Sequence, residues 1–180
     1  MNLPKSYNSI NAMYNYEVAD SFIERSIIIS KSKTREEAYE IIKKELDLLE
    51  NKYLNECLAA FNYIQYEKCL DWIEENISKT KNITLSWGHL AAISKFNWRI
   101  AEKWIDSGRP LSLVALDAIN FCTTKGEKLN MSVIMREIDP KIIDHPKYEI
   151  IAEKVQEYKI KDPSPRVKRI VDKIMENLFN

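Results

Sequence analysis

Apolar residues recur at intervals of three and four along most of this chain, which is the spacing of one buried face on an α-helix. The pattern marks segments that begin near residues 17, 34, 66, 84, 97, 110, 144 and 166. Short polar or proline-containing stretches separate them. The clearest is SGRP at residues 107–110, because glycine favours a left-handed helix end and proline suits the start of the next helix. The pattern predicts an all-α fold.

Local signals predict where several of these helices begin and end. Thr34 and Glu37 have the spacing of a capping box, and Thr84 is placed to cap a helix that runs to about Ser94. The long segment after residue 34 is expected to break between about residues 50 and 54, and a shorter helix is expected at 131–137. Residues 1–16 lack a clean period, so they are predicted to form an extended arm or an irregular helix.

Two consecutive predicted hairpins, at residues 66–94 and 97–122, carry matching sequences. In their first helices WIE at 72–74 aligns with WID at 104–106, and in their second helices LS at 85–86 aligns with LS at 111–112. Leucine, alanine and isoleucine positions further along the second helices also match. The link between the helices is longer in the first copy. We interpret the two segments as one helical hairpin that has been duplicated.

The duplicated hairpin resembles the HEAT-like and armadillo-like helical repeats, in which stacked helix pairs share one continuous core. A second point of resemblance is DPSPRVK at 162–168, which is similar to the start of a HEAT helix. The resemblance covers mainly residues 66–124 and extends less closely over 144–178. It implies that residues 1–180 form a single domain in which hairpins stack as a short α-solenoid. The alternative is a compact helical bundle that contains one duplicated hairpin.

The resemblance also implies a place for the binding surface, since the second helices of HEAT-like repeats line a concave side that usually carries the binding groups. The helices at 84–94 and 110–122 would line that side together. Trp72 and Trp104 match each other across the repeat and are expected in the core, whereas Trp87 and Trp98 have no such counterpart and are expected to be exposed anchors. The expected binding residues are Ser86, Trp87, His89, Trp98, Arg99, Arg109, Ser112, Asp117 and Asn120.

Composition narrows the class of protein. The chain has 27 Lys and Arg residues against 27 Asp and Glu residues, so it has no bulk positive field to attract nucleic acid or an anionic membrane. Cys57, Cys69 and Cys122 form an odd set without a CxxC pair and are expected to be buried free thiols. No signal peptide and no long apolar run is evident, so a soluble, cytoplasmic protein is expected.

Candidate chemistry is sparse. Neither His89 nor His145 belongs to the HxxxH, HExxH or ExxH spacings of helix-borne metal sites, and no glycine-rich phosphate loop is present, so we expect no metal and no cofactor. His89 has the residue type of a general base near neutral pH. A lone histidine on an apolar helix is more often structural, so an enzyme that uses His89 is the third hypothesis.

The first hypothesis is a cofactor-free helical module that binds another protein with fixed stoichiometry. A specific form of it resembles bacterial immunity and antitoxin proteins, which are often compact, cofactor-free and sometimes HEAT-like. The second hypothesis is a HEAT-like protein that binds nucleic acid or excises a DNA base, with a basic stripe made by Lys95, Arg99, Lys103 and Arg109.

Overall fold

A computed structural model describes residues 34–48, 61, 65–80, 83–124 and 140–180. The described part of the chain is all-α, as predicted. Its α-helices are α1 (Arg35–Leu48), α2 (Lys68–Asn76), α3 (Leu85–Ile93), α4 (Trp98–Asp106), α5 (Leu111–Thr123), α6 (Tyr148–Lys161) and α7 (Pro165–Phe179), and a 3-10 turn at Ile77–Lys79 follows α2. The predictions for residues 1–33, for the break near residue 51 and for a helix at 131–137 concern residues outside the described ranges.

Several helix ends follow the local signals in the sequence. The Thr34 hydroxyl accepts a hydrogen bond from the Glu37 amide at 3.1 Å, which confirms this half of the capping box. Asn97 caps α4 by accepting from the amide of Ile100 at 3.0 Å. Gly108 has φ of +73°, the left-handed conformation predicted for it. Thr84 occupies the N-cap position of α3, but its side chain makes no capping hydrogen bond.

Helix α5 lies at the centre of the described fold. It packs against α3, α4 and α7, while α2 packs on α3 and α6 packs on α7. Every residue of α5 from Ser112 to Ile119 is buried. The helix therefore has neighbours on several sides, which explains why its sequence is apolar almost all round.

The core on the α2 side is aromatic. The rings of Trp72 and Trp87 stack with centroids 5.5 Å apart and planes 12° from parallel, and Phe61 packs against Trp72. Trp104 contacts Phe96. Trp72 and Trp104 are 3% and 0% exposed, so their predicted place in the core is confirmed.

The expected exposure of Trp87 and Trp98 is wrong. Trp87 is fully buried because it lies on the side of α3 that faces α2, where it stacks on Trp72. Trp98 is 8% exposed and stands at the first turn of α4. The backbone of Ile143 crosses this turn, accepting from the Trp98 amide at 3.1 Å and donating to the Phe96 carbonyl at 2.9 Å. Neither indole is free to anchor a partner.

The described cysteines, Cys69 and Cys122, are not joined in a disulfide. Cys69 is buried and Cys122 is partly buried, and Cys57 lies outside the described residues. Burial raises the pKa of the Cys69 thiol to about 12, with smaller opposing effects from Ser94 and the Tyr66 backbone. This thiol is protonated at neutral pH and is therefore a poor nucleophile.

Helices α3 and α5 approach each other unusually closely at Gly88. A Cβ atom on Gly88 would overlap the Cβ atom of Asp117 and would lie 3.1 Å from the backbone nitrogen of Ala118. Glycine is therefore required at this point by the neighbouring helix, not by its own backbone conformation.

Candidate functional site

The helices expected to form the binding surface, α3 and α5, do lie side by side. The C-terminal helices, however, cover much of α5. Ser112 is fully buried and its hydroxyl lies 2.6 Å from the hydroxyl of Tyr158 on α6, while Asp117 is 1% exposed. The expectation that Ser112 and Asp117 are surface groups is therefore wrong, because α6 and α7 pack over the side of α5 that carries them.

Helix α7 extends the expected two-helix surface to three helices in the order α3, α5, α7. His89 of α3 stacks on Phe121 of α5 with ring centroids 4.7 Å apart. Asn177 of α7 donates to the Asn120 side chain of α5 at 3.2 Å. Helical spacing places further residues of α3 and α7 on the same side. We call this surface the three-helix face, and it comprises Leu85, Ser86, His89, Asn120, Phe121, Arg166, Arg169, Lys173 and Asn177.

An ion pair joins the three-helix face to a carboxylate that is buried beneath it. The Arg166 guanidinium donates to the Asp117 carboxylate at 3.0 Å, and its other terminal nitrogen donates to the Ile83 carbonyl at 2.8 Å. Burial raises the pKa of Asp117 above its ordinary value, and Arg166 and then Lys173 oppose that rise. Arg166 thus joins α7 to α5 and to the segment that leads into α3. Lys173 also lies near this carboxylate, since its charge lowers the pKa of Asp117.

His89 is the titratable group on the α3 part of the face. Its ring is partly buried, and burial lowers its pKa to about 4, so the imidazole is neutral at pH 7. The Nε2 atom is shielded from solvent and has no hydrogen-bond partner. A general base must reach the proton that it removes, and this nitrogen presents no such access. The geometry favours the structural interpretation of His89.

Amide and hydroxyl groups fill the seam between α5 and α7. The Asn177 side chain donates to Asn120 and, at 3.1 Å, to the hydroxyl of Thr124. All three side chains are partly buried. The seam is thus closed by polar contacts at the C-terminal end of α5, one helical turn beyond Asp117.

The arginines predicted for the binding site lie elsewhere. Arg109 stands in the turn between α4 and α5, where its Nε donates to Asp162 at 2.7 Å and its Nη2 to the Ser164 hydroxyl at 2.6 Å. The Arg109 hydrogen bond holds the pKa of Asp162 below its ordinary value. Arg99 is exposed on α4. The structure therefore brings together Ser86, His89 and Asn120 at the three-helix face, but not Arg99 or Arg109.

The four residues of the predicted basic stripe are mostly neutralised. Lys95 pairs with Glu67 at 3.4 Å, Lys103 with Glu74 at 2.7 Å and Arg109 with Asp162 at 2.7 Å. Of the four, Arg99 is the one without an ion pair to another described residue. These cations do not form a free positive surface.

Arg166, Arg169, Lys173 and Phe121 belong to the face but were not among the residues predicted from the sequence. One feature of the sequence does indicate that a basic residue must pack against α5. Asp117 is the only charged residue in the apolar segment 111–123, and a buried carboxylate needs a cation. That requirement predicts a basic partner for Asp117, although it does not say which of the 27 Lys and Arg residues supplies it.

In the described ranges, no three His, Cys, Asp or Glu side chains are grouped so that they can hold a metal ion. A membrane-crossing helix, which must be both long and apolar, does not occur in that same part of the chain. Comparison of the chain with models of protein families, with characterised proteins and with solved structures gives no significant match.

Proposed function

We propose that this chain is a cofactor-free module that binds another protein stoichiometrically through the three-helix face. The observation that carries the proposal is the apolar group that α3 and α5 contribute to that face. Leu85 is 60% exposed at the start of α3, and the partly buried His89 and Phe121 rings lie stacked on the same side. Polar and basic side chains of α7 flank this group. An apolar centre with a polar rim is the common anatomy of protein interfaces.

The packing supports a short HEAT-like stack over a compact bundle. The close contacts are those within the helix pairs α2 and α3, α4 and α5, α6 and α7, and between the second helices of neighbouring pairs. In a stack, each pair contacts mainly its neighbours.

A repeated ion pair gives the same support. Lys103 on α4 pairs with Glu74 on α2, and Lys154 on α6 pairs with Asp106 on α4, both at 2.7 Å. The lysines occupy the same place in the IAEK sequences at 100–103 and 151–154, and the acids occupy the same place in WIE and WID. Equivalent residues thus make equivalent contacts at two successive junctions.

A narrower form of the proposal is a bacterial immunity or antitoxin-type protein, which would act by covering the surface of a toxin. Its support is the resemblance to that class of small, cofactor-free helical proteins. The alternative, a nucleic-acid-binding or base-excising protein, has less support. Three of the four cations proposed for it hold carboxylates of this chain, so they have little capacity left to neutralise phosphates.

The test is site-specific photo-crosslinking in the native cells. A photoreactive phenylalanine analogue replaces Leu85 on the three-helix face or, as the matched control, Glu75, which is exposed on α2. We expect one discrete protein adduct from position 85 and none from position 75. The purified adduct partner should then form a complex of fixed stoichiometry with the unmodified chain in size-exclusion chromatography. The absence of an adduct at position 85, or the same adducts at both positions, would contradict the proposal.

A further inference from the structure

We propose that the three-helix face takes an acidic partner segment, in which aspartate or glutamate side chains pair with Arg169 and Lys173 while an apolar side chain contacts Leu85 and Phe121. This inference rests on the proposed function and adds the chemistry of the partner. It depends on the charges of α7 and on the position of the apolar group beside them.

The face carries positive charge that the described residues of the protein do not neutralise. Arg169 and Lys173 are exposed, and neither forms an ion pair with another described residue. The carboxylate below them, Asp117, is buried and already holds Arg166. Glu176 is exposed in the next turn of α7, and even when it is counted the face keeps an excess of cations.

The other acid of this helix points away. The Asp172 carboxylate forms an ion pair with the Lys159 ammonium of α6 at 2.6 Å, so Asp172 belongs to the junction between α6 and α7. On the opposite side of the helix pairs, Lys103 and Lys154 each hold a carboxylate of the neighbouring pair. Arg169 and Lys173 on the three-helix face differ from these lysines because neither pairs with a carboxylate of the described residues.

The surroundings of these cations favour a protein segment over nucleic acid. Leu85 is 60% exposed and the stacked His89 and Phe121 residues are partly exposed, so this part of the face suits contact with an aliphatic or aromatic side chain. An arginine binds a carboxylate through two parallel hydrogen bonds, and a lysine adds a point charge. Tight binding of duplex DNA depends on many phosphate contacts, whereas this face offers two cations without an ion pair to another described residue.

The spacing on α7 also limits the partner. Arg169 and Lys173 are four residues apart and therefore lie on one side of the helix, one turn from each other. Carboxylates one helical turn apart on an amphipathic partner helix match this separation. Apolar residues on the adjoining side of such a helix would then lie over the apolar group at α3 and α5.

The inference is tested by fluorescence anisotropy at low ionic strength. The probe is a labelled helical peptide with glutamates on one side and leucines on the other, and the comparison probes are the same peptide with glutamine in place of glutamate and a labelled DNA duplex. The variants are Arg169→Glu and Lys173→Glu. The matched control is Lys168→Glu, since Lys168 is also exposed on α7 without an ion pair to a described residue but lies on a different side of the helix.

We expect the glutamate peptide to bind and each of the two charge reversals to weaken its binding about tenfold, with less than about a twofold change for Lys168→Glu. The glutamine peptide should bind more weakly than the glutamate peptide. Equal losses in all three variants, equal affinity for the two peptides, or absence of peptide binding would overturn the inference. Tighter binding of the duplex than of the peptide would assign the face to nucleic acid and would also overturn it.

Failure of this inference is distinguishable from failure of the proposed function. If position 85 gives no protein adduct in cells, the proposed function fails. If it gives an adduct whose crosslinked segment has no acidic residues, or whose complex is unaffected by Lys173→Glu, protein binding stands and the acidic partner does not. Helical circular dichroism of each variant verifies that the substitutions leave the fold intact.

Discussion

Replacement of His89 by phenylalanine should remove a large part of the dependence of stability on pH below neutrality. The imidazole is stacked on Phe121, and its Nε2 is buried without a partner. Phenylalanine keeps the stacked ring and removes the unsatisfied nitrogen. At pH 7 we therefore expect the variant to be as stable as the parent or about 1 kcal/mol more stable, because an unpaired buried polar atom costs roughly that much.

The magnitude follows from the pKa of His89, which burial lowers from 6.5 to about 4. As the pH falls, the unfolded chain takes up a proton at this histidine before the folded chain does. Stability is therefore complete above about pH 6.5 and decreases as the pH falls towards 4. Each unit of pKa difference corresponds to about 1.4 kcal/mol, so the loss of stability through His89 is at most about 3.5 kcal/mol. The variant lacks this loss.

The assay is urea unfolding, monitored by tryptophan fluorescence, at a series of pH values from about 4 to about 8. The quantity to compare is the difference in unfolding free energy between the variant and the parent, since carboxylates contribute equally to both. That difference should be constant above pH 6.5 and should grow in favour of the variant below it. A difference that stays constant over the whole range would show that the folded protein tolerates a charged imidazole, and would refute the reasoning.

Four further substitutions test the packing that holds the face together, and chemical unfolding measures the effect of each. Gly88→Ala should destabilise the protein by about 2 kcal/mol because its methyl group collides with Asp117, and unchanged stability would show that α3 and α5 can separate freely. Ser112→Ala and Tyr158→Phe should each lower the free energy of unfolding by about 1–2 kcal/mol. The double variant should lose less than the sum of the two, because both substitutions remove the same buried hydrogen bond. Losses that simply add would contradict the contact. Asn97→Ala should cost about 1 kcal/mol through loss of the α4 cap, and no loss would contradict the capping role.

The helices were predictable because their signals are local. The apolar spacing of three and four residues is read within one segment, and the end of α4 at Gly108 depends on one residue with a left-handed conformation. The capping bond from Thr34 to Glu37 likewise spans three residues. None of these features requires knowledge of which helices meet in space, so one sequence suffices to predict them.

The burial of Trp87 and Trp98 could not be predicted from local signals of this kind. Neither tryptophan has a matching tryptophan in the other hairpin, which suggests a surface function. A core position that differs between the two copies, however, also lacks a matching residue. Trp87 is buried in a stack with Trp72, fifteen residues earlier, and Trp98 lies where the backbone at the start of α4 hydrogen-bonds to Ile143, which is far along the chain. These contacts depend on how the helices pack in space, which the alignment of the two hairpins does not show.

The C-terminal helix α7 had the largest effect on the site. It contributes one arginine to folding and another to the proposed binding, and these arginines lie one helical turn apart. Arg166 satisfies the buried Asp117 carboxylate, so it is bound into the fold, whereas Arg169 one turn later has no such partner among the described residues. A basic residue on α7 therefore cannot be assigned to folding or to binding by its type or by its position on the helix. The assignment depends on whether an acid of this chain already occupies it. Among the cations of the three-helix face, that criterion leaves Arg169 and Lys173 of α7 available to a partner, although the apolar contacts that we propose for the same partner come from α3 and α5.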